Sequence, residues 1–447
     1  MKNNSFHIIS LGCAKNTVDS DSMAQVLFDS RYQYVESTNQ AGVIIVNTCG
    51  FIGPAKEESL QVLNDIARSK QPGQLLIAAG CLTQRYGAEI AQQVPAIDGI
   101  LGTRRWMDIL EVVTRLRAQK HPQTLYHLPD VPTVGRDDAG ALRVSIQGKS
   151  SYLKIADGCR RPCAFCAIPL IKGTAVSRPI DAILDEARAL QAMGIREIIL
   201  IAQDTTDYGH DLGMKNGLAR LLERLVFEVP EVDWIRVMYA YPGYVTAELI
   251  DVIAAHPQIL PYLDMPLQHA HPATLKRMRR PANMDWVYRT LEEMRSRIPS
   301  LALRTTFIVG YPGETEEEFQ TLLNFIQDIR FDRVGAFQYS YEPGTAAEPL
   351  GDPVPTAVKQ ARWEQLMELQ QGISLERNQS FVGQTLEVLI EGQGDGLSLG
   401  RSYRDAPEID GLVLIEDQIP LGELVPVRIT GAMVYDLTGV VDKSENH

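Results

Sequence analysis

Six cysteines, Cys13, Cys49, Cys81, Cys159, Cys163 and Cys166, are the residues whose type and spacing could do chemistry in this chain. The last three fall in one short run, Cys159-Arg160-Arg161-Pro162-Cys163-Ala164-Phe165-Cys166, spaced CxxxCxxC. Thiolates this close can fold back on one metal ion or cluster. A cubane iron–sulfur cluster offers four irons, so three thiolates leave one iron open for another ligand. The spacing is neither the paired CxxC of a zinc ribbon nor the CxxCxxC of a ferredoxin. A structural metal knot and three incidental thiols are the plainer alternatives.

Cys13, Cys49 and Cys81 lie far apart in sequence, and what unites them is their place relative to the elements expected around them. Residues 6–13, 42–49 and 74–81 are short apolar runs, each ending in cysteine. Residues 17–30 and 55–69 are amphipathic and predict helices, the first capped at Asp19 or Ser20. Continuous apolar strands alternating with helices predict a parallel sheet covered on both faces. In such a sheet ligands bind beyond the carboxyl ends of the strands, where all three cysteines fall. Structural cysteines would sit within the strands as small hydrophobes. A second three-thiolate site, again with an iron open, is the expectation, against three unrelated thiols.

Six βα units follow. Strands are expected at 151–156, 197–203, 234–239, 262–267, 303–309 and 333–339, with helices at 178–193, 217–229, 246–255, 284–297, 314–329 and 356–379. This exceeds a Rossmann half and falls short of an eight-unit barrel. The CxxxCxxC loop follows the first strand. Other strand ends carry Gln203-Asp204-Thr205-Thr206, Gln268-His269 and Gly310-Tyr311-Pro312-Gly313-Glu314. Each is equally an ordinary strand-end turn, and His269 is equally a structural histidine. Residues 121–148 read as a linker with a hairpin lead-in at 142–146. Beyond 380, β runs at 384–392, 411–416 and 424–430 with turn residues between them predict a small antiparallel β-barrel.

The chain is 45% hydrophobic and 22% charged over 447 residues, which suits a multidomain globular protein. Its start carries no apolar h-region, and no apolar run reaches transmembrane length, so no membrane association and a cytoplasmic location are expected. In that compartment clustered thiols bind metal or do chemistry rather than form disulfides. The net charge of −13 disfavours broad nucleic-acid binding. Residues 380–447 hold only Arg401, Arg404, Arg428 and Lys443 against twelve Asp and Glu, a formal −8. Such a barrel repels a phosphate backbone and attracts a basic protein; a solvated acidic face without a partner is the alternative.

CxxxCxxC with Phe165 before its last cysteine resembles the signature of radical S-adenosylmethionine (SAM) enzymes, as does a partial (β/α)6 barrel with its cysteine loop after the first strand. With the three-cysteine first part and a TRAM-like barrel, the whole chain resembles the methylthiotransferase family. The resemblance implies an α/β protein with a flavodoxin-like three-cysteine domain (5–135), a radical-SAM core (145–378) and a TRAM-like barrel (380–447). It implies two 4Fe-4S clusters, one on Cys13, Cys49 and Cys81, the other on Cys159, Cys163 and Cys166. SAM would lie across the strand ends, touching Gln203, Gly310 and Pro312. Family members insert a methylthio group into an unactivated C–H bond of a tRNA adenosine or of a ribosomal protein side chain. No side chain can ionise such a bond near neutral pH, so a radical cofactor must carry the step. The second cluster would cleave SAM to the 5′-deoxyadenosyl radical, and the first would hold the sulfur. An external electron donor and a sulfur source are implied.

Residues 400–411, Gly-Arg-Ser-Tyr-Arg-Asp-Ala-Pro-Glu-Ile-Asp-Gly, resemble the protein-modifying branch. Its target is the β-carbon of an aspartate in the basic ribosomal small-subunit protein twelve, alone or within the ribosomal small subunit. The acidic barrel points the same way and away from tRNA. A tRNA adenosine methylthiotransferase and a non-enzymatic iron–sulfur or zinc protein are the competing readings.

Overall fold

The computed structural model describes residues 4–121, 123–137 and 140–442. Parts of the expected linker (122, 138 and 139) and of the expected barrel (443–447, with Lys443) lie outside the described residues. Six strands form the first sheet: β1 (Ser5–Ser10), β2 (Gln33–Tyr34), β3 (Val43–Thr48), β4 (Leu75–Gly80), β5 (Gly99–Gly102) and β6 (Leu125–His127). All neighbours are parallel, in the order β2-β1-β3-β4-β5-β6. This is the flavodoxin-like winding, whose order reverses between β1 and β3 and opens a crevice there. Helices α1 (Ala14–Asp29), α2 (Gly53–Ser69), α3 (Cys81–Gln93) and α4 (Ile109–Ala118) cover it. Every residue of β3 is buried, as its unbroken apolar run requires.

Two details differ from expectation. Helix α1 starts at Ala14, with Cys13 as its N-cap residue, so Asp19 and Ser20 lie inside it and are buried rather than capping it. The chain turns at Gly12 (φ +94°), and the Cys13 carbonyl already accepts from the Asn16 and Thr17 N–H groups. The expected linker contributes β6, which pairs with β5.

The hairpin lead-in is present: β7 (Val144–Gln147) pairs antiparallel with β8 (Ser150–Lys154). A short antiparallel pair, β9 (Ala156–Asp157) and β10 (Val176–Ser177), closes the base of the cysteine loop, which holds α5 (Ile168–Lys172). Strands β11 (Glu197–Ile201) and β12 (Trp234–Val237) continue from β8 in parallel; β13 (Tyr262–Asp264), β14 (Ala302–Val309) and β15 (Arg333–Gln338) form a second parallel group. Among the described residues no continuous ladder joins the two groups; isolated pairings do, such as Ile235 with Ile259 and the Ala240 N–H on the Asp264 carbonyl at 2.8 Å. The six strands β8 and β11–β15 carry the six expected units. Helices α6 (Ile180–Ala192), α7 (Gly217–Glu228), α8 (Ala247–Ala255), α9 (Pro272–Arg277), α10 (Met284–Arg297), α11 (Glu316–Ile329) and α12 (Thr356–Gln379) follow these strands. Leu200, Ile235, Leu263 and Phe307 of the strands pack with Leu222, Leu291 and Phe319 of the helices in one buried core.

The last strands, β16 (Thr385–Gly394), β17 (Leu397–Ser402), β18 (Val413–Ile415), β19 (Leu424–Ala432) and β20 (Leu437–Val441), close into a barrel in the order β16-β17-β18-β20-β19. It is mixed rather than purely antiparallel. β19 and β20 form a hairpin, and β18 closes against β20 running the same way.

Buried ion pairs bind these parts together. Asp19 of α1 and Asp157 share Lys154, Lys172 and Arg143, with Lys172 2.9 Å from each carboxylate. Three cations meet two carboxylates, and burial pushes the Lys154 amine down to about 8. At the other end, Arg401 of β17 reaches Glu197 at 2.5 Å and Glu391 at 2.6 Å.

Candidate active site

Helix ends and strand tips bring the first three cysteines together. Cys13 caps α1 and Cys81 opens α3, so both thiols sit at helix N-termini, where the partial positive charge favours a thiolate. Cys49 follows β3; its N–H donates to Ser59 Oγ at 3.0 Å, and the Ser59 hydroxyl donates to the Cys49 carbonyl at 3.0 Å. Two asparagines lock the tips. Asn16 Nδ2 donates to the Leu11 carbonyl (2.6 Å) and the Asn47 carbonyl (3.2 Å), while Asn47 Nδ2 donates to the Asn16 carbonyl (2.9 Å) and Ser20 Oγ (2.8 Å). A Cβ on Gly12 would lie 2.8 Å from Cys49 Cβ and 3.0 Å from its Sγ, so the bare glycine leaves that thiol its space.

The second trio is held by its own loop. The Cys159 N–H donates to the Gly173 carbonyl (3.0 Å), and the Ala164 N–H to the Met278 carbonyl (2.8 Å). Arg161 is fixed by Asp204 at 2.5 Å and lies 3.5 Å from the ring centre of Tyr244. Donors aim at the sulfurs: the Arg161 N–H at Cys159 Sγ (3.4 Å), Arg280 Nη1 at Cys163 Sγ (3.5 Å), with the Tyr241 hydroxyl 3.7 Å from the same sulfur.

All six cysteines line one cavity of about 420 Å³, together with Lys15, Gln203, Tyr239, Tyr241, Gln268 and Arg280. Tyr239 (φ +62°) and Gln268 (φ +75°) hold left-handed backbone at this wall, which costs a non-glycine residue on the order of 1 kcal/mol. Burial pushes the Cys159 thiol up to about 11, the Cys81 thiol to about 12, and Cys166 upward as well. Burial also acts on Cys13, but the Lys15 ammonium and the Asn16 N–H outweigh it and leave that thiol below its ordinary value. Loading metal on such a set must release protons. Helix ends, sulfur-directed donors and the gap at Gly12 fit two three-thiolate clusters facing one space.

Of the expected SAM contacts, Gln203 is on the cavity wall, whereas Gly310 and Pro312 are not among its lining residues. The Gly310 N–H donates to Glu314 Oε2 (2.8 Å), and a side chain there would meet Lys359 Cγ at 2.4 Å. His269 is buried, and burial holds its imidazole neutral by lowering it to about 3. Its Nδ1 accepts from the His271 N–H at 2.9 Å, and it is not among the residues lining the cavity. The sequence reading did not single out Lys15, Tyr239, Tyr241 or Arg280. Lys15 had a signal, its place two residues after Cys13 in a strand-to-helix turn; the others come together only through the winding of the barrel.

Residues 400–411 lie in the contact between barrel and core. Arg404 bonds Asn378 Oδ1 (3.2 Å) and Asp332 Oδ1 (3.3 Å), Asp405 pairs with Arg333, and Asp410 accepts from the Tyr262 hydroxyl (2.7 Å).

Among protein families, the radical SAM superfamily matches residues 153–326, the TRAM domain residues 382–441, and "Uncharacterized protein family UPF0004" residues 5–102. The chain is 50% identical over 450 residues to the ribosomal protein uS12 methylthiotransferase RimO of Chloroflexus aurantiacus, covering 97% of this chain and 99% of that protein. It is 47% identical over 455 residues to RimO of a Roseiflexus species, covering 97% and 96%. Among solved structures, a radical SAM methyltransferase, TsrM, from Kitasatospora setae superposes with a TM-score of 0.55 over 89% of this chain and 81% of that one. At 14% identity that likeness concerns the fold alone.

Proposed function

The chain belongs to the RimO family of radical SAM methylthiotransferases, and from that premise we propose that it attaches a methylthio group to the β-carbon of an aspartate in ribosomal protein uS12. The observation that carries this reading is the single cavity walled by two cysteine trios from distant parts of the chain. We assign one 4Fe-4S cluster to Cys159, Cys163 and Cys166 and a second to Cys13, Cys49 and Cys81. When bound, the first supplies one-electron cleavage of SAM and the second holds the sulfur to be transferred. The chain's own residues orient and insulate. Arg280 and Tyr241 steady the sulfur of Cys163, Gln203 offers a polar contact for SAM, and the mostly apolar walls limit competing encounters with water. The working boundaries are 5–135, 145–378 and 380–447, and reduction and sulfur come from external partners in the cytoplasm.

The barrel supports a basic protein target over tRNA. Two of its arginines, Arg401 and Arg404, are buried against the core, so among the described residues of the barrel Arg428 is the exposed base. Glu387, Asp395, Glu416 and Glu423 are exposed, and a surface of this sign steers a basic partner. No helix is long and apolar enough to cross a membrane among the described residues.

The test is mass spectrometry of ribosomal proteins from cells with and without this gene. A methylthio group on one uS12 aspartate, lost with the gene, is the expected result. If protein with rebuilt clusters modified a tRNA adenosine and left uS12 untouched, the proposal would fail. Stoichiometric zinc without sulfide would sink the enzyme reading altogether.

A further inference from the structure

We propose that Lys15 is the residue that recognises the target side chain, pairing its ammonium with the carboxylate of the substrate aspartate. This rests on the uS12 reading of the cavity. Lys15 lines the same space as both cysteine trios, and its Nζ lies 3.2 Å from the ring centre of Tyr239. Among the described residues no carboxylate forms an ion pair with it. The other cations of the cavity are committed. Arg161 is taken by Asp204 (2.5 Å) and Asp207 (3.3 Å), and Arg280, which also pairs with no carboxylate, is held at the other trio by the Pro266 carbonyl and Cys163 Sγ. The opposite charge nearest Lys15 is the Cys13 thiol, which it helps ionise, and a half-buried ammonium with no carboxylate partner gains further from an anionic ligand.

A second observation concerns the kind of ligand. Two other wall residues hold buried side-chain oxygens without a partner, Asn16 Oδ1 and Gln203 Oε1. A cation without a carboxylate partner, next in sequence to the unpartnered Asn16 Oδ1, matches a carboxylate carried on a peptide, whose N–H groups are donors. The purine of an adenosine brings no negative charge to such a place. The position also suits the chemistry. Lys15 follows Cys13 by two residues, on the side assigned to sulfur. The β-carbon of aspartate is bonded directly to its carboxyl carbon. Fixing the carboxylate at Lys15 therefore fixes the reacting carbon beside the Cys13, Cys49 and Cys81 group and turns its hydrogens toward the rest of the cavity. Lys15 is a positioning and specificity residue in this account.

The test uses the full chain with both clusters rebuilt, kept anaerobic and supplied with SAM. Two dye-labelled peptides of the uS12 target loop are compared by fluorescence anisotropy, one with the native aspartate and one with asparagine in its place. The wild type is expected to bind the aspartate peptide about 10-fold or more tightly, as a charge-assisted hydrogen bond warrants. Lys15→Met should bind the two peptides equally, and Lys15→Arg should keep the preference. Iron and sulfide content verifies that each variant carries both clusters; Lys15→Gln answers the same question if Lys15→Met does not assemble. A Lys15→Met or Lys15→Gln protein that retains the aspartate preference overturns the proposal, including the case where only the potential of a cluster moves. Failure of the uS12 reading looks different: the wild type itself then binds neither peptide and modifies tRNA.

Discussion

At the residue scale, the first trio depends as much on what is missing beside it as on its sulfurs. Gly12 combines a left-handed backbone with a space that Cys49 fills. Gly12→Ala adds a methyl 2.8 Å from Cys49 Cβ, and the backbone itself resists an alanine by about 1–2 kcal/mol. Iron per chain is expected to fall by about half, as one cubane of two is lost, while 5′-deoxyadenosine formation persists; colorimetric iron assay and chromatography read both. The cysteines were legible from sequence because thiols that bind metal keep short or strand-end spacing. Lys15 was less so: its place two residues after Cys13 was a signal, but a lysine in the first turn of a helix is ordinary on a surface, and its approach to Tyr239 comes only from the packing of α1.

At the scale of elements, β11 was legible as an apolar run buried throughout, and β14 and β15, partly exposed along their length, through their β-branched and aromatic residues. Two short strands of the last barrel, β17 and β20, escaped notice. Each is interrupted by a glycine, Gly400 or Gly439, where a Cβ would lie 2.5 Å from Leu389 O or Val427 Cγ1; tight strand approach replaces the side-chain signal there. The cap of α1 was misplaced for a related reason. Asp19 and Ser20 look like capping residues, yet Asp19 is turned inward to Lys172 and Ser20 accepts from Asn47. That internal bonding ties α1 to β3, and so Cys13 to Cys49. Asn47→Ala removes two buried hydrogen bonds and should cost about 1–3 kcal/mol. Thermal unfolding checks the loss, and iron retention after gel filtration checks whether the first trio loosens with it.

At the scale of the whole molecule, residues 400–411 join barrel to core, with Glu197 at their centre. Burial alone would raise this carboxyl, but the charges of Arg401 and Arg236 outweigh it and hold it down at about 2. Its folded value thus lies below its unfolded one. The stability it contributes, about 3 kcal/mol, is present above about pH 4.5 and is lost as pH falls toward 2. Glu197→Gln leaves Arg236 without a carboxylate and Arg401 with Glu391 alone, so its unfolding temperature should drop at pH 7 and depend less on pH in that acid window; calorimetry across pH reads both. The outward face makes a separate prediction. Changing Glu387, Asp395 and Glu416 to lysine should slow association with uS12 and weaken its salt dependence in stopped-flow binding. The unladdered join between β12 and β13 carries a consequence for entry. Tyr239 and Gln203 stand on one side of it, Gln268 and Arg280 on the other, so parting the two groups widens the cavity along its length. A folded loop of a ribosomal protein needs a broader mouth than a small molecule does. Backbone amides of residues 262–265 should therefore exchange with deuterium faster than those of 197–201, and slow down when uS12 is seated.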